Sequence, residues 1–375
     1  MGKYEDSLGI IVMNNCSDLG KKVNENIMQK RGSDEGFLIK VDTPRFNNGE
    51  AKGVILDSVR DKDLYILSDI GNHSETYKMY GYENHKSPDD HFVDIKRILS
   101  AVRAQPERIT VFMPMLYESR QHRRNKRESL DCALALRELN NLNVDVVTTI
   151  DVHDPNIQNA VPDTMCFENF FASNSILTSF IKDEDFNPED VVFISPDKGA
   201  FERTSYYANM FGADVGLFNK RRDLSKFIDG HHPIVAHDYL GRDLKGKTVI
   251  IVDDMIDSGG SMLDVVDKAK NLGADKVYAI ATFSLFSKGL DRFDDAYNKK
   301  LLDKIYSTNL TYVDPEAINA PWYRQIDCSS YVADIIDTLN KSGSITELKN
   351  GKQKILTMLD DKKNGRWKIW NLLFL

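Results

Sequence analysis

Short apolar runs rich in β-branched residues recur along the chain and are separated by longer amphipathic stretches. The runs with the length and composition of buried strands are Gly9–Met13, Leu64–Leu67, Ile109–Met113, Val144–Ile150, Val191–Ile194, Asp214–Phe218, Val249–Val252 and Val277–Phe283. Alternation of such runs with helical stretches is typical of parallel sheets whose strands are connected by helices. The pattern therefore predicts an α/β fold.

One helix is predicted with well-defined ends, directly after the run at 249–252. An apolar stripe at helical spacing is formed by Met262, Val265, Val266, Ala269 and Leu272. Gly273 supplies a C-terminal stop, and the helix is expected to begin at Ser261. A glycine-rich segment therefore leads straight into a helix.

The strand-rich pattern occurs twice, roughly over 1–170 and 172–324, so two similar α/β halves are expected. Residues 75–92 break the periodicity and mix tyrosine, histidine and charge, which predicts an inserted surface loop. The C-terminal stretch 351–375 ends in apolar residues and is predicted to be a docked helix.

Composition narrows the classes of function. A net charge of −8 argues against a protein that coats nucleic acid or an anionic membrane, so a phosphate site would need local positive charge. The four cysteines lie far apart without CxxC spacing, which favours neither disulfides nor zinc and is typical of the reduced cytoplasm. No apolar run approaches the ~20 residues of a membrane-spanning helix, and no leader segment is expected.

The segment 249–262, VIIVDDMIDSGGSM, carries the clearest chemistry. A buried strand leads to Asp253 and Asp254 at the edge of the sheet where α/β proteins bind ligands. The following glycines and serines let backbone N–H groups and hydroxyls surround a phosphate at a helix N-terminus. Carboxylates would repel a phosphate but accept hydrogen bonds from sugar hydroxyls. Together these features predict a site for ribose 5-phosphate.

This segment resembles the phosphoribosyl pyrophosphate loop of the type I phosphoribosyltransferase fold. The resemblance assigns ribose 5-phosphate binding to Asp253, Asp254, Asp257, Ser258, Gly259, Gly260 and Ser261. The loop by itself leaves a base-using phosphoribosyltransferase as an alternative.

Four further segments resemble the ribose-phosphate pyrophosphokinase family. The residues that the resemblance places at ATP are Phe46, Asn48 and Glu50 at the adenine, and Arg120 and Gln121 beside the nucleotide. It makes His153 and Asp197 ligands of Mg²⁺, and it makes Lys220 and Arg222 the catalytic cations of a lid reaching to about His237. Two positions depart from the family pattern, His122 where an aspartate is common and Lys198 where small residues are usual.

The resemblance implies two tandem type I phosphoribosyltransferase-like domains, each a mainly parallel sheet flanked by helices. The first would comprise 1–171 and a returning segment 325–375, and the second 172–324. The implied enzyme transfers the diphosphoryl group of MgATP to ribose 5-phosphate. It is expected to be a cytoplasmic homo-oligomer, a hexamer or its dimeric unit, with no nucleic-acid or membrane partner.

A different class of protein also fits part of the sequence. A non-catalytic regulatory homologue would keep the fold while binding nucleotides or an active partner. Asp253, Asp254, Lys220 and Arg222 argue against this alternative, whereas His122 and Lys198 leave it open.

Overall fold

The computed structural model describes residues 3–103, 105–222 and 234–364, without the side chains at 220–222, 234–237 and 347. The strands are β1 (Leu8–Val12), β2 (Val41–Asp42), β3 (Val54–Ile55), β4 (Asp63–Leu67), β5 (Thr76–Met79), β6 (Tyr82–His85), β7 (Arg108–Phe112), β8 (Val146–Ile150), β9 (Cys166–Phe170), β10 (Val191–Ser195), β11 (Asp214–Arg222), β12 (Ile234–Leu240), β13 (Thr248–Ile256), β14 (Lys276–Ser284), β15 (Lys304–Thr308) and β16 (Tyr323–Ile326). The helices are α1 (Ser17–Arg31), α2 (Pro88–Val102), α3 (Asp131–Asn141), α4 (Ser173–Asp183), α5 (Phe201–Phe211), α6 (Gly260–Asn271), α7 (Asp291–Asn298), α8 (Pro315–Ile318), α9 (Ser329–Asn340), α10 (Thr346–Lys349) and α11 (Lys352–Lys363).

The chain divides into two compact units. The first comprises 1–172, 309–313 and 327–349, and the second comprises 173–308, 314–326 and 350–375. Within the described residues, no helix is both long enough and apolar enough to cross a bilayer.

The first unit is built on a parallel five-stranded sheet in the order β1-β4-β7-β8-β9. Helix α1 approaches β1 closely, because a Cβ added to Gly20 would lie only 2.2 Å from Val12 Cγ1. Helix α9 packs against α1. The order of the strands follows the order of the chain, as expected when each crossover returns over a neighbouring strand.

Two later segments of the chain join this unit through buried polar groups. The Asp63 carboxylate accepts two hydrogen bonds from the Arg108 guanidinium, each at 2.7 Å. It accepts a third from Asn340 Nδ2 at 2.8 Å. Asp69 accepts hydrogen bonds from the Thr311 hydroxyl at 2.9 Å and the Tyr312 backbone N–H at 2.7 Å. Because a buried carboxylate without partners is costly, these contacts hold 309–313 and 327–349 to the first unit.

The second unit has a seven-stranded sheet in the order β12-β11-β10-β13-β14-β15-β16. Only β12 runs antiparallel to its neighbour, β11, among the paired strands of this sheet that the structure describes. Strand β13 lies between β10 and β14, and its first residues are fully buried. The predicted α/β fold with mainly parallel sheets flanked by helices is confirmed.

The boundaries of the units differ from the predicted ones at the C-terminus. The predicted first domain included 325–375, but α11 packs against α4 and α5 of the second unit. Ile355 is fully buried there, and Lys362 Nζ donates to the carbonyls of Ile181 and Glu184 at 2.9 and 2.6 Å. The apolar face of α11 thus packs on the second unit. The periodicity of a helix predicts an apolar face but not which unit that face contacts.

The prediction of a surface loop at 75–92 is corrected. Strands β5 and β6 form an antiparallel hairpin whose turn residues, Tyr80 and Gly81, both have positive φ. Helix α2 then begins at Pro88, with Ser87 and Asp90 forming a capping box. The hairpin was missed because Asn-Gly and Asp-Gly are the turn signals expected for this geometry, and tyrosine occupies the first position here.

Candidate functional site

The acidic pair lies inside β13, the central strand of the seven-stranded sheet. Asp253 pairs with Ala281 of β14, and β13 continues to Ile256. The Asp254 side chain is 2% exposed, and its backbone N–H donates to Asp253 Oδ1 at 2.9 Å. The two carboxyl groups are therefore held in a fixed arrangement by the strand.

Burial and neighbouring charge raise the pKa of Asp253 well above its ordinary value. Burial is the main cause, and repulsion from Asp254 and Asp197 adds to it, whereas Arg203 opposes the shift. Arg203 Nη1 lies 3.7 Å from Asp254 Oδ1. This cluster of carboxyl groups would be stabilised by hydroxyl donors or a cation, since both relieve the repulsion.

The segment after β13 has the shape of an anion cradle. Gly259 has φ of 74°, and Gly260 begins α6. Ser287 holds the start of the loop, because its hydroxyl donates to Asp257 Oδ1 at 2.5 Å and its backbone N–H donates to the Asp257 carbonyl at 3.0 Å. With Ser258 and Ser261 in the same segment, the backbone N–H groups of the α6 N-terminus form a site suited to phosphate.

Arg292 was not identified from the sequence, although it lies beside this cradle. Its Nη1 is 3.5 Å from the position that a Cβ on Gly260 would occupy. The residue is exposed, and it forms no hydrogen bond or ion pair with any residue that the structure describes. Its neighbour Phe293 is fully buried against Gly259, so the start of α7 is anchored at the loop. Arg292 lies far from the loop along the chain, so the sequence carries no signal for this contact.

Arg203 was also missed. It lies in the first turn of α5, six residues after Asp197, and its side chain is 9% exposed beside the acidic pair. A buried arginine facing two carboxyl groups is a frequent arrangement in anion or sugar sites, but the contact joins two separate strand-to-helix segments. Sequence spacing alone therefore does not reveal it.

Asp197 occupies the strand-to-helix turn after β10. Its Oδ1 accepts the backbone N–H groups of Gly199 and Ala200 at 2.9 and 3.2 Å, and the Ser195 hydroxyl donates to its carbonyl at 2.6 Å. Lys198 is exposed. The turn is thus folded around the Asp197 carboxylate, which also acts electrostatically on Asp253.

Lys220 and Arg222 lie near the end of β11, where their backbones pair with His237 and Ile234 of β12. Their side chains, and the rest of the predicted lid at 223–233, lie outside the described residues.

In the first unit, residues 45–51 form a tight turn. The Phe46 N–H donates to the Glu50 carbonyl at 2.7 Å, and the Gly49 N–H donates to the Phe46 carbonyl at 2.8 Å. The Asn48 amide donates to Glu50 Oε2 at 2.8 Å. Phe46 is 53% exposed, which leaves its ring available for stacking. The turn brings together Phe46, Asn48 and Glu50, the predicted adenine contacts.

The residues predicted to lie beside the nucleotide belong to the segment between β7 and α3. Arg120 and Gln121 are exposed, and the Gln121 N–H donates to the Glu118 carbonyl at 2.8 Å. Further exposed cations in the same segment are Arg123, Arg124, Lys126 and Arg127. Exposed guanidinium groups at this density suit a polyphosphate.

His153 follows β8 and lies next to His122, with the ring centroids 5.5 Å apart. His122 Nε2 is 3.0 Å from Asp154 Oδ2, and its buried Nδ1 has no hydrogen-bond partner among the described residues. The histidine at position 122 is therefore packed into the predicted metal region of the first unit.

No group of three or more His, Cys, Asp or Glu side chains within 3–103, 105–222 and 234–364 is arranged to hold a metal ion. Mg²⁺ commonly uses only one or two protein ligands and completes its shell with water and substrate phosphates. The repulsion among Asp197, Asp253 and Asp254 suits such an ion, because a divalent cation would offset the clustered negative charge.

Comparisons with known proteins cover both units. Residues 8–142 match the N-terminal domain of ribose phosphate pyrophosphokinase, and residues 167–317 match the phosphoribosyl transferase domain. Ribose-phosphate pyrophosphokinase A of Dictyostelium discoideum is 24% identical over 345 residues, which cover 92% of this chain and 98% of that protein. Ribose-phosphate pyrophosphokinase 2 of Saccharomyces cerevisiae is 28% identical over 315 residues, 83% of this chain and 89% of that protein.

A solved structure extends the likeness to the fold. The crystal structure of phosphoribosylpyrophosphate synthetase from Mycobacterium smegmatis matches with a TM-score of 0.73, at 20% identity, and covers 90% of this chain and 100% of that one.

Proposed function

This chain belongs to the ribose-phosphate pyrophosphokinase family, and we propose that it transfers the β,γ-diphosphoryl group of MgATP to the 1-hydroxyl of ribose 5-phosphate. The products are phosphoribosyl pyrophosphate and AMP. The observation that carries the proposal is the acidic pair and glycine-rich helix start in the second unit, in a chain whose first unit matches the N-terminal domain of this family. A base-using phosphoribosyltransferase does not account for that first unit.

Ribose 5-phosphate is assigned to the segment after β13. Asp253 and Asp254 accept hydrogen bonds from the sugar hydroxyls, and burial beside Arg203 keeps both groups in place. The segment 257–261 holds the 5-phosphate through backbone N–H groups and the Ser258 and Ser261 hydroxyls. Arg292 adds a positive charge at this phosphate.

ATP is assigned to the first unit. Phe46 stacks on the adenine, and Asn48 and Glu50 form hydrogen bonds with its edge. Arg120 and Gln121 hold the nucleotide beside them, and the neighbouring exposed cations offset the charge of the triphosphate.

The residues assigned to Mg²⁺ are His153 and Asp197. When bound, Mg²⁺ neutralises the charge of the ATP phosphates. Carboxylate oxygen is its usual protein ligand, whereas a histidine ligand is uncommon. His122, at the ring of His153, replaces an aspartate of the family with a group that carries no negative charge.

The transfer requires alignment rather than a covalent intermediate. The 1-hydroxyl of ribose 5-phosphate loses its proton to water and forms a bond to the β-phosphorus, while the bond from that phosphorus to the α,β-bridging oxygen breaks and AMP leaves. Lys220 and Arg222 are assigned to stabilise the charge that spreads over the phosphoryl oxygens in the transition state. The backbone and side-chain groups that bind the two substrates lower the barrier further, because they hold the reacting atoms in the correct orientation.

The direct test is a product assay with the purified full-length chain, ribose 5-phosphate, ATP and Mg²⁺. AMP and phosphoribosyl pyrophosphate should form in equal amounts by ³¹P NMR. Absence of both products would support the regulatory homologue, and pyrophosphate release that depends on a free base would support the base-using transferase.

Assembly and location are further parts of the proposal. We assign a homo-oligomer, a hexamer or its dimeric unit, and a cytoplasmic location, which fits four cysteines that form no disulfide. Mass photometry at assay concentration would test the assembly, and a monomer would contradict it.

A further inference from the structure

The hairpin β5–β6 is anchored to the first unit by buried polar groups. Lys86, which is 7% exposed, places its Nζ 3.0 Å from Glu75 Oε2 and 3.1 Å from Asp94 Oδ2. His91 Nε2 lies 2.7 Å from the Asn72 carbonyl. A buried lysine flanked by two carboxylates has a strong preference for one geometry, so the base of the hairpin is firmly placed.

One side of the hairpin rests on the turn at 45–51. The Tyr80 N–H donates to the Asn47 carbonyl at 2.8 Å. Met79 lies against Gly49, where an added Cβ would be 2.7 Å from its sulfur, and φ of Gly49 is 91°. The Arg45 guanidinium lies 4.5 Å from the centroid of the Tyr77 ring. The hairpin and the turn therefore form one packed substructure.

The hairpin, the turn and helix α2 line an open groove of about 420 Å³, to which α2 contributes the charged side chains of Asp89, Asp90 and Arg97. Among the residues that line it are Asn48, Glu50, Tyr77, Met79 and Arg97. Tyr77 and Met79 are half-buried on the groove side of β5, whereas Thr76 and Lys78 alternate onto the exposed side. The groove thus combines polar groups of the turn with an aromatic ring and a thioether from the hairpin.

We propose that the hairpin Thr76–His85 forms one wall of the site for the purine base, where Met79 contacts the base and Tyr77 and Met79 hold the turn 45–51 in its binding shape. The proposal rests on the assignment of Asn48 and Glu50 to the nucleotide under the proposed function. A purine suits this groove because its edge needs hydrogen-bond donors and acceptors, which Asn48 and Glu50 provide, and its ring needs a polarizable surface. Met79 provides that surface, since thioethers make favourable contacts with aromatic rings.

The arrangement explains why a hairpin occupies this position. A short loop after β4 could close the chain to α2, but it would not contact Gly49 or Asn47. The contacts from Met79 and Tyr80 restrict the turn before the nucleotide binds, and a site that is ordered in advance loses less conformational entropy on binding. The hairpin therefore contributes to the affinity for the nucleotide and not to the affinity for ribose 5-phosphate.

Isothermal titration of the full-length chain with AMP tests the proposal without turnover. Met79→Ala should weaken AMP binding by about five- to thirty-fold, as expected when most of one apolar side chain is lost from a contact. Met79→Leu should stay within about threefold, because it retains most of the volume against Gly49. Thr76→Ala, on the exposed side of the same strand, is the matched control and should change AMP affinity less than about twofold.

Binding of ribose 5-phosphate, measured in the same way, separates this role from general damage to the fold. Its affinity should not change in Met79→Ala. Unchanged AMP affinity in Met79→Ala would overturn the proposal, as would equal weakening by Thr76→Ala. A wild-type chain that binds AMP but forms no phosphoribosyl pyrophosphate would refute the proposed activity alone, and the Met79 comparison would still decide the role of the hairpin.

Discussion

Adjacent glycines in the proposed phosphate site provide a sharp test, because alanine should act on them in opposite ways. At Gly259, φ is 74°, and an added Cβ would lie 2.1 Å from Cζ of Phe293. Phe293 is fully buried and stacked on Trp322, with ring centroids 5.3 Å apart, so it has little room to move. At Gly260, the added Cβ would meet Arg292 Nη1 at 3.5 Å and Ser258 Oγ at 3.8 Å, which are both ordinary contacts.

The free energy of unfolding of the second unit should therefore fall strongly in Gly259→Ala. A left-handed alanine costs roughly 1–2 kcal/mol. Forcing a methyl group into a packed aromatic cluster costs roughly 1–3 kcal/mol more. The total is about 2–5 kcal/mol, which should lower the urea midpoint by on the order of 1–2 M.

Gly260→Ala should leave stability unchanged or raise it by up to about 1 kcal/mol, because alanine favours the helix that begins there. Its methyl group lies on the phosphate side of the loop, next to Arg292. The KM for ribose 5-phosphate should therefore rise about tenfold or more, since a misplaced phosphate loses charge-assisted hydrogen bonds. One glycine is thus needed for folding and the other for binding.

Tryptophan fluorescence can follow this unit selectively. The chain has three tryptophans, and replacing Trp367 and Trp370 by phenylalanine leaves Trp322 as the only one. Urea unfolding in that background reports on the stack with Phe293. Equal midpoints for Gly259→Ala and its parent would refute the packing argument, and a wild-type KM in Gly260→Ala would refute the placement of the phosphate.

Two further predictions concern charged groups. Arg292→Ala should raise the KM for ribose 5-phosphate about tenfold with little change in kcat or in AMP binding, whereas Lys299→Ala just beyond the other end of α7 should have no effect; equal effects would show that only net charge matters. Burial raises the pKa of Asp69 to about 7. The unfolded chain loses this proton near pH 4 and the folded chain near pH 7, so the stabilisation is complete below pH 4 and is lost as pH rises towards 7, by up to ~1.4 kcal/mol per unit. Urea midpoints between about pH 4 and 7 should therefore fall with pH more steeply in the wild type than in Asp69→Asn, and parallel slopes would contradict the assignment.

Much of the fold could be predicted from local pattern. Each predicted strand is present, and α6 runs from Gly260 to Asn271, close to the predicted start at Ser261. In the two main sheets, strands β9, β12, β15 and β16 were not predicted. Their sequences, such as Tyr323–Ile326, carry charged or polar residues, so pairing with a neighbouring strand decides their conformation.

The site was predicted unevenly for a related reason. Residues 253–261 are contiguous, so the sequence alone predicts them as a site and, with the four other segments, indicates the family. Arg203 and Arg292 lie far from them along the chain, and only folding brings each to the segment after β13. Spacing along the chain carries no information about such contacts.

The sequence by itself determined the α/β class and the family and predicted the acceptor loop, because these depend on periodicity and on residues adjacent in the chain. Tertiary structure decided to which unit each later segment of the chain belongs. Thr311 donates a hydrogen bond to the buried Asp69 of the first unit, whereas α11 packs against α4 and α5 of the second, and packing sets both contacts. It also decided that 76–85 is a hairpin on the turn at 45–51, because left-handed turn residues and the contact of Met79 with Gly49 arise only in three dimensions.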